Sequence, residues 1–298
     1  MSYKDRIGAI RNVTMDAIIN DCRLHVPPQH KFRPYFHPEL NHGLDLLKSE
    51  EALDCYMGAY GEMHHSKCKA VLQNLPFPPE GKVEGSLSVE IIDWGCGQGI
   101  GAISIIDFIK ERDLTGWLKK VTLIEPSEAA LNRAVINVMT ATANRVRVVP
   151  INAYLPANGN DSEIQGVHYE NQFVIHVFSN ILDVDGIDLG KVARAMAIPG
   201  HIHYVCCVGP LNANAFRMDK FANIFHSLEE FSSISSRNYG VTSDTNYLYT
   251  CKTKGFVYNG ETIDLSEYSP NEKASAPVYG EYDVNLHISN GLMSNDSI

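Results

Sequence analysis

Residues 91–101 carry the sequence IIDWGCGQGIG, in which four glycines occupy seven positions directly after three apolar residues and an aspartate. Each glycine loses more backbone entropy on folding than any other residue would. Such a cluster is expected where something approaches the main chain closely. The identity of that neighbour decides how the rest of the sequence is interpreted.

Short β-branched apolar runs alternate with helical segments around this stretch. Strands are predicted at residues 87–94, 120–126, 145–151, 171–180 and 201–210, and helices at 100–114, 127–142 and 188–198. Strand, helix and strand at this spacing indicate parallel βαβ units, whose sheet is covered by helices on both faces. The predicted fold class is therefore α/β, with a doubly wound, mostly parallel sheet.

The segments on either side of this sheet have a different character. Residues 1–80 predict a helical N-terminal region with a proline-rich interruption, including a helical stretch at 38–75 that breaks near Gly58 and Gly61. Residues 81–268 form the predicted sheet domain, with a late hairpin that turns at Lys254 and Gly255. Residues 269–298, rich in Ser, Asn, Pro and Gly, predict a loosely ordered tail.

Composition excludes several classes of protein. Hydrophobic residues make up 44% and charged residues 20% of the 298 residues, which is ordinary globular usage. There is neither a run of about 20 apolar residues nor a signal-peptide core, so we expect a cytoplasmic protein without membrane association. The net charge of −10 disfavours nonspecific nucleic-acid binding. Seven scattered cysteines predict reduced thiols, and no metal site is expected.

The glycine loop is compatible with two kinds of ligand. Residues 97–102 satisfy the G-x-G-x-x-G/A pattern that binds the pyrophosphate of NAD, which by itself is weak evidence. Asp93, at the end of the preceding strand, would repel a pyrophosphate but could accept a hydrogen bond from a cationic ligand. Asp93 therefore favours a cationic ligand over a pyrophosphate.

The sequence VEIIDWGCGQG resembles the first motif of class I S-adenosylmethionine (SAM) dependent methyltransferases, an apolar strand followed by an acid, one residue and Gly-x-Gly-x-Gly. In that family the loop wraps the methionine part of the cofactor and the acid lies near its amino group. The resemblance thus implies that SAM is the cofactor and that it contacts Asp93, Gly95, Cys96, Gly97 and Gly99.

The ends of the next two strands extend the predicted cofactor site. Glu125, followed by Pro126, ends the second strand, where an acid can accept hydrogen bonds from both hydroxyls of a ribose. NAD enzymes use the same acid, and a Glu that caps the following helix is the structural alternative. Asn152 and Ala153 stand where the family usually carries an Asp or another polar residue that contacts adenine.

The fourth strand ends in FSNILDV, similar to the Ser-Asn and apolar residues of many small-molecule and carboxyl methyltransferases. The resemblance implies that Phe178 and Ser179 line the cofactor, that Asn180 lies at the reacting methyl group, and that Asp183 faces the substrate. The chain lacks the Asn/Asp-Pro-Pro-aromatic signature of amino-group methylation, which disfavours DNA bases. A buried strand end with Asn180 in an ordinary turn is the alternative.

The chemistry itself requires few residues, because methyl transfer is an in-line displacement that depends mainly on alignment. Segments ahead of the first strand often cover the pocket in this family, which directs attention to residues 56–67. His65 is the predicted general base, and Tyr60, Glu62 and His64 are predicted substrate contacts. A helix with exposed histidines is the competing interpretation.

These observations predict a SAM-dependent methyltransferase whose helical N-terminal region helps to select the acceptor. The acceptor stays open: a small molecule or carboxylate is favoured by the acidic charge, and RNA or a protein side chain comes next. A SAM-binding regulatory or scaffolding protein is the first alternative function, and an NAD-dependent oxidoreductase is the second. Oligomeric state is not addressed by the sequence.

Overall fold

Five parallel strands form the central sheet in the order β3-β2-β1-β4-β5. They are β1 (Val89–Trp94), β2 (Leu118–Ile124), β3 (Arg147–Ile151), β4 (Phe173–Ser179) and β5 (Ile202–Val208). The chain order reverses between β1 and β4, and in open α/β sheets ligands bind at the carboxyl ends of the strands at such a point. This topology confirms the predicted fold class.

The computed structural model describes most of the chain up to β5 and separate segments after it. The described residues are 1–27, 39–40, 46–72, 77, 87–157, 167–168, 170–171, 173–196, 201–209, 216–227, 235–242, 256–258, 261–263 and 283–290. Most of the predicted proline-rich interruption and the predicted turn at Lys254 and Gly255 lie outside these ranges. None of the helices in the described part is long and apolar enough to cross a bilayer.

Seven α-helices accompany the strands within the described ranges. They are α1 (Tyr3–Gly8), α2 (Met15–His25), α3 (Glu50–Leu72), α4 (Ile100–Glu111), α5 (Glu128–Ala141), α6 (Leu189–Met196) and α7 (Phe216–Ser227). Helices α1 to α5 share one apolar core with one face of the sheet, through residues such as Ile18, Met57, Ile91 and Ile103. Helices α6 and α7 cover the other face, where Trp94 and Phe178 are buried.

Helix α3 runs unbroken for 23 residues, which corrects the predicted break near Gly58 and Gly61. Both glycines permit close packing of α2 on α3. A Cβ on Gly61 would lie 2.9 Å from Ile19, and one on Gly58 would lie 3.3 Å from Val26. The two glycines therefore serve helix contact and do not end the helix.

Four short strands follow the main sheet. β6 (Ser235–Thr242) pairs antiparallel with β9 (Asp283–Asn290), and β7 (Phe256–Tyr258) pairs antiparallel with β8 (Glu261–Ile263). β9 also lies against β5. The eight residues of β9 lie within the predicted tail and form a paired strand.

A buried ionic network ties the N-terminal helices to the rest of the fold. The carboxylate of Asp54 on α3 accepts hydrogen bonds from Arg6 of α1 at 2.8 Å and from Arg133 of α5 at 2.7 Å. Burial raises the pKa of Asp54, but the hydrogen bonds from Arg6 and the charge of Arg133 outweigh this and lower it below its usual value. Arg133 also donates to the side chain of Gln98 in the glycine loop at 3.2 Å.

We expect Asp54→Ala to lower the free energy of unfolding by about 3 kcal/mol or more, because two buried guanidinium groups lose a shared counterion. Chemical denaturation measures this value. Glu51→Ala, which removes an exposed carboxylate from the same helix, is the matched control and is expected to change stability by less than about 0.5 kcal/mol. Equal losses in the two variants would show that the network is not stabilising.

Candidate active site

A cavity of about 480 Å³ lies at the carboxyl ends of β1 to β4, beneath α3. The loops after β1 to β4 line it, together with Leu46, Leu47 and residues of α3, which we call the cap helix. The lining residues are Leu46, Leu47, Tyr56, His64, Gly95, Cys96, Gly97, Gln98, Ile100, Gly101, Glu125, Pro126, Ser127, Ala130, Tyr154, Leu155, Ala157, Ser179, Asn180, Ile181, Val184, Asp185, Gly186 and Ile187. The cavity coincides with the switch point in strand order, where the fold places a ligand.

Glycine is required for different physical reasons at the four positions of the loop after β1. A Cβ on Gly95 would lie 2.7 Å from Ile181, one on Gly99 3.2 Å from Ala134, and one on Gly101 2.9 Å from Val177. Those three glycines make room for the protein itself. Gly97 has a φ of +51° and open space where its Cβ would stand, and it lines the cavity, so its main chain is open to a ligand.

Glu125 joins the loops after β1 and β2 and faces the cavity. Its carboxylate accepts hydrogen bonds from the backbone N–H of Gly97 and from that of Ser127, both at 2.9 Å. Burial raises its pKa above the usual value, and these two hydrogen bonds oppose the shift. A carboxylate has about four acceptor positions, so two remain for hydroxyl groups of a ligand.

Asp93 is not among the residues that line the cavity, and its contact with the ligand stays a prediction. Its side chain is fully buried, and Oδ2 accepts a hydrogen bond from the N–H of Ala102 in the first turn of α4 at 2.8 Å. Asp93 thus supplies a carboxylate to the helix N-terminus at which a pyrophosphate would bind. Its effect on a ligand is electrostatic and disfavours an anion.

Burial raises the pKa of Asp93 to about 7, although the hydrogen bond from Ala102 lowers it and the carboxylate of Glu125 raises it further. Oδ1 has no hydrogen-bond partner within the described part of the chain. The charge of this carboxyl group therefore changes near neutral pH.

The end of β4 meets the cap helix at two consecutive residues. Asn180 accepts a hydrogen bond on Oδ1 from the ammonium of Lys67 at 2.6 Å, and Ser179 Oγ lies 3.7 Å from Cys68 Sγ. Ser179 and Asn180 both line the cavity. Lys67 is a residue that sequence reasoning missed, although it stands one helical turn after His64 on α3.

Of the two adjacent histidines of α3, His64 faces the cavity and His65 does not. His65 is buried against α4, where its Nδ1 lies 2.8 Å from Ser104 Oγ, so the expectation that His65 acts as the base is not supported by its position. His64 stacks on Tyr60 with ring centroids 6.0 Å apart. Burial, together with the charge of Lys67, lowers the pKa of His64 well below its usual value, so the ring is neutral.

Several other predicted site residues point elsewhere. Phe178 packs on the opposite face of the sheet, stacked 5.6 Å from Trp94. Asn152 donates to the backbone carbonyls of Glu125 and Pro126 at 3.0 Å and so supports the loop from behind. Glu62 forms a salt bridge with Arg23 at 2.8 Å. The remaining predicted residues absent from the wall are Tyr60, Gly99, Ala153 and Asp183.

The structure brings the other predictions together at the cavity. Gly95, Cys96, Gly97, Glu125, Pro126, Ser179, Asn180 and His64 all line it. It adds Tyr154, 69% exposed at the mouth, and Tyr56 of α3, neither of which was selected from the sequence as a site residue. Tyr154 lies two residues beyond Asn152, the predicted adenine contact, and lines the cavity where Asn152 does not.

The cavity wall is acidic. Glu125 and Asp185 are its carboxylates, and none of the described residues that line it is a lysine or an arginine. No group of three His, Cys, Asp or Glu side chains in the described ranges is arranged to hold a metal ion. These two carboxylates disfavour a pyrophosphate beside them.

No protein-family model matches the chain, and no curated protein matches its sequence. Solved structures resemble its shape. A SAM-dependent methyltransferase from Leishmania major aligns over 89% of this chain and 85% of its own, with 10% identity and a TM-score of 0.36.

Two further solved structures extend over nearly the whole chain. Geranyl diphosphate C-methyltransferase from Streptomyces coelicolor A3(2), in complex with Mg²⁺, geranyl diphosphate and S-adenosyl-L-homocysteine, aligns over 96% of this chain and 99% of its own, with 12% identity and a TM-score of 0.40. Magnesium protoporphyrin IX methyltransferase from Synechocystis PCC 6803, with bound SAM, aligns over 95% and 100%, with 10% identity and a TM-score of 0.39. The site assignment rests on the strand order and contacts of this chain.

We expect Gly97→Ala to lower the free energy of unfolding by about 1–2 kcal/mol, the strain of a left-handed backbone at an L-residue. Gly95→Ala, at a similar φ of +66°, is expected to lose about 1–3 kcal/mol more, because its Cβ would also collide with Ile181. Urea denaturation compares the two. A Gly97 variant as unstable as the Gly95 variant would contradict the assignment of Gly97 to a ligand.

The raised pKa of Asp93 predicts a pH-dependent stability. The folded protein holds this proton more tightly than the unfolded chain, so the stabilisation is complete below about pH 4 and is lost as the pH rises through about 7. The Asp93→Asn side chain does not titrate, so this variant should not lose stability in this way as the pH rises. The free energy of unfolding of the variant minus that of the wild type should rise between these pH values by on the order of 4 kcal/mol and then stay level. Parallel stability profiles from pH 4 to 8.5 would refute the buried carboxylate.

Proposed function

We propose that this chain is a SAM-dependent methyltransferase. The observation that carries the proposal is the pairing of an open Gly97 main chain with the Glu125 carboxylate in one cavity, while the carboxylate of Asp93 occupies the neighbouring helix N-terminus. A dinucleotide would place a pyrophosphate beside the carboxylates of Asp93, Glu125 and Asp185. A sulfonium ligand would place a positive charge there.

The residues present fit SAM. Glu125 has two acceptor positions left for the ribose hydroxyls, and its hydrogen bond to Gly97 holds the loop in place for the rest of the cofactor. Leu46, Leu47 and Tyr154 offer apolar and aromatic surface at the mouth of the cavity, which suits a flat heterocycle. Bound SAM supplies an electrophilic methyl group on sulfur.

The part of the cavity between the end of β4 and α3 is the proposed acceptor site. Ser179 and Asn180 at the end of β4 line the cavity, as do Tyr56 and His64 of α3. These residues hold the acceptor in line and exclude water, which is the main contribution a protein makes to such a displacement. A small molecule is the proposed acceptor class, favoured over RNA by the acidic wall and the net charge of −10.

Calorimetric titration of the protein with SAM, S-adenosylhomocysteine and NAD tests this proposal. We expect micromolar dissociation constants for the first two and no binding of NAD. Glu125→Ala should weaken S-adenosylhomocysteine binding at least tenfold, because hydrogen bonds to a charged group contribute about 1.5–3 kcal/mol each.

Glu128→Ala is the matched control, since it removes an exposed carboxylate three residues away, in the first turn of α5. It should bind as the wild type does. Circular dichroism and thermal unfolding establish that both variants are folded. Binding of NAD with no binding of SAM, or undiminished affinity in folded Glu125→Ala, would overturn the proposal.

A further inference from the structure

A buried lysine stands behind the proposed acceptor site. Lys67 on α3 is 2% exposed, and its Nζ lies 2.6 Å from Asn180 Oδ1 at the end of β4. Removing an ammonium group from water is costly unless it is hydrogen-bonded or serves a charge nearby. Burial lowers the pKa of Lys67 to about 8, which leaves it mostly charged at neutral pH.

This lysine determines which way the side-chain amide of Asn180 faces. An ammonium group only donates hydrogen bonds, so the oxygen of the amide must face Lys67. The nitrogen is then turned to the other side, where Nδ2 donates to Ser179 Oγ at 3.1 Å. The second N–H of Nδ2 makes no hydrogen bond within the described part of the chain.

The backbone of Asn180 is also held in place. It has a φ of 57°, a left-handed conformation that asparagine tolerates better than most residues, and its N–H donates to the carbonyl of Val208 at 2.6 Å. With backbone and amide oxygen both held, the cavity wall at this point offers a hydrogen-bond donor backed by a positive charge.

The neutral histidine across the cavity restricts the acceptor further. An acceptor that loses a proton on methylation needs a base, and the lowered pKa of His64 makes it a weak one. A carboxylate is already ionised at neutral pH. Its oxygen forms the new C–O bond as the C–S bond breaks, the electron pair stays on sulfur, and no proton moves.

We propose that Lys67 is a positioning residue that holds the Asn180 amide with its N–H available to the acceptor, and that the acceptor is a small carboxylate with an apolar body. This inference rests on the proposed function. The apolar body follows from Tyr56, Ile181 and Val184, which line the same cavity.

Binding of small probes to the protein saturated with S-adenosylhomocysteine tests the inference. Ligand-observed NMR compares benzoate, a carboxylate on an apolar ring, with benzylammonium, a cation of similar size. We expect benzoate to bind at least tenfold more tightly than benzylammonium. Lys67→Met should weaken the binding of benzoate at least tenfold, while Lys69→Met should leave its affinity unchanged.

Lys69 is the matched control because it is an exposed lysine on the same helix, paired with Glu111 at 3.3 Å. Lys67→Met should remain folded, since an apolar side chain of similar length in place of a buried charge is often neutral or stabilising. Thermal unfolding checks this. Equal binding of the two probes, or benzoate binding unchanged in Lys67→Met, would overturn the inference.

The NMR signal of the Asn180 side-chain amide separates positioning from general structural support. In protein labelled with ¹⁵N-asparagine, that signal is assigned by its loss in Asn180→Asp. It should shift on benzoate addition to the wild type and not on addition to Lys67→Met. An Asn180 signal that does not shift when benzoate is added to the wild type would also refute the inference. Failure of S-adenosylhomocysteine to bind at all would instead refute the proposed function.

Discussion

The buried carboxylate of Asp54, shared by Arg6 and Arg133, is the interaction on which the geometry of the cavity depends. It connects α1, α3 and α5, and Arg133 carries the connection to Gln98 within the glycine loop. Gln98 in turn donates to the carbonyl of Leu53 on α3 at 2.9 Å. The cap helix and the loop beneath it are therefore held by one network, and the cavity lies between them.

Acids in and beside the cavity then determine what it can hold. Asp93 caps α4 from below, Glu125 joins the two loops, and Asp185 stands in the loop after β4. A glycine-rich turn ahead of a helix is otherwise a good anion site, because its N–H groups and helix dipole attract negative charge. Here the protein's own carboxylates satisfy much of that potential. The same turn is thereby suited to a cationic ligand, and a buried cation, Lys67, lies behind Asn180 at the end of β4.

The fold and much of the loop chemistry could be predicted from the sequence, because they depend on local patterns. The alternation of apolar strands with helices predicts the parallel sheet, and the acids at the ends of β1 and β2 mark the correct edge of it. The role of Asp93 was not predictable, since strand position does not show whether a carboxylate faces a ligand or the first turn of the next helix. The glycines were likewise ambiguous: Gly95, Gly99 and Gly101 are explained by Ile181, Ala134 and Val177, which come from distant parts of the chain.

The cap was the hardest part to predict. His64 and His65 are neighbours in sequence, and only the packing of α3 on α4 shows that His65 turns to Ser104 and His64 to the cavity. Phe178 alternates to the far face of the sheet while Ser179 remains at the cavity, a difference of one residue along a strand. Lys67 carries no motif, and its importance follows from a hydrogen bond across 113 positions of the sequence.

Transfer of label from methyl-labelled SAM would show whether this cavity transfers a methyl group. The purified protein is incubated with labelled SAM and an extract separated into small-molecule, RNA and protein fractions. We expect label to appear in the small-molecule fraction. This labelling should require the protein and should be suppressed by S-adenosylhomocysteine. SAM that binds without labelling any fraction would contradict it and would favour a SAM-binding protein without turnover.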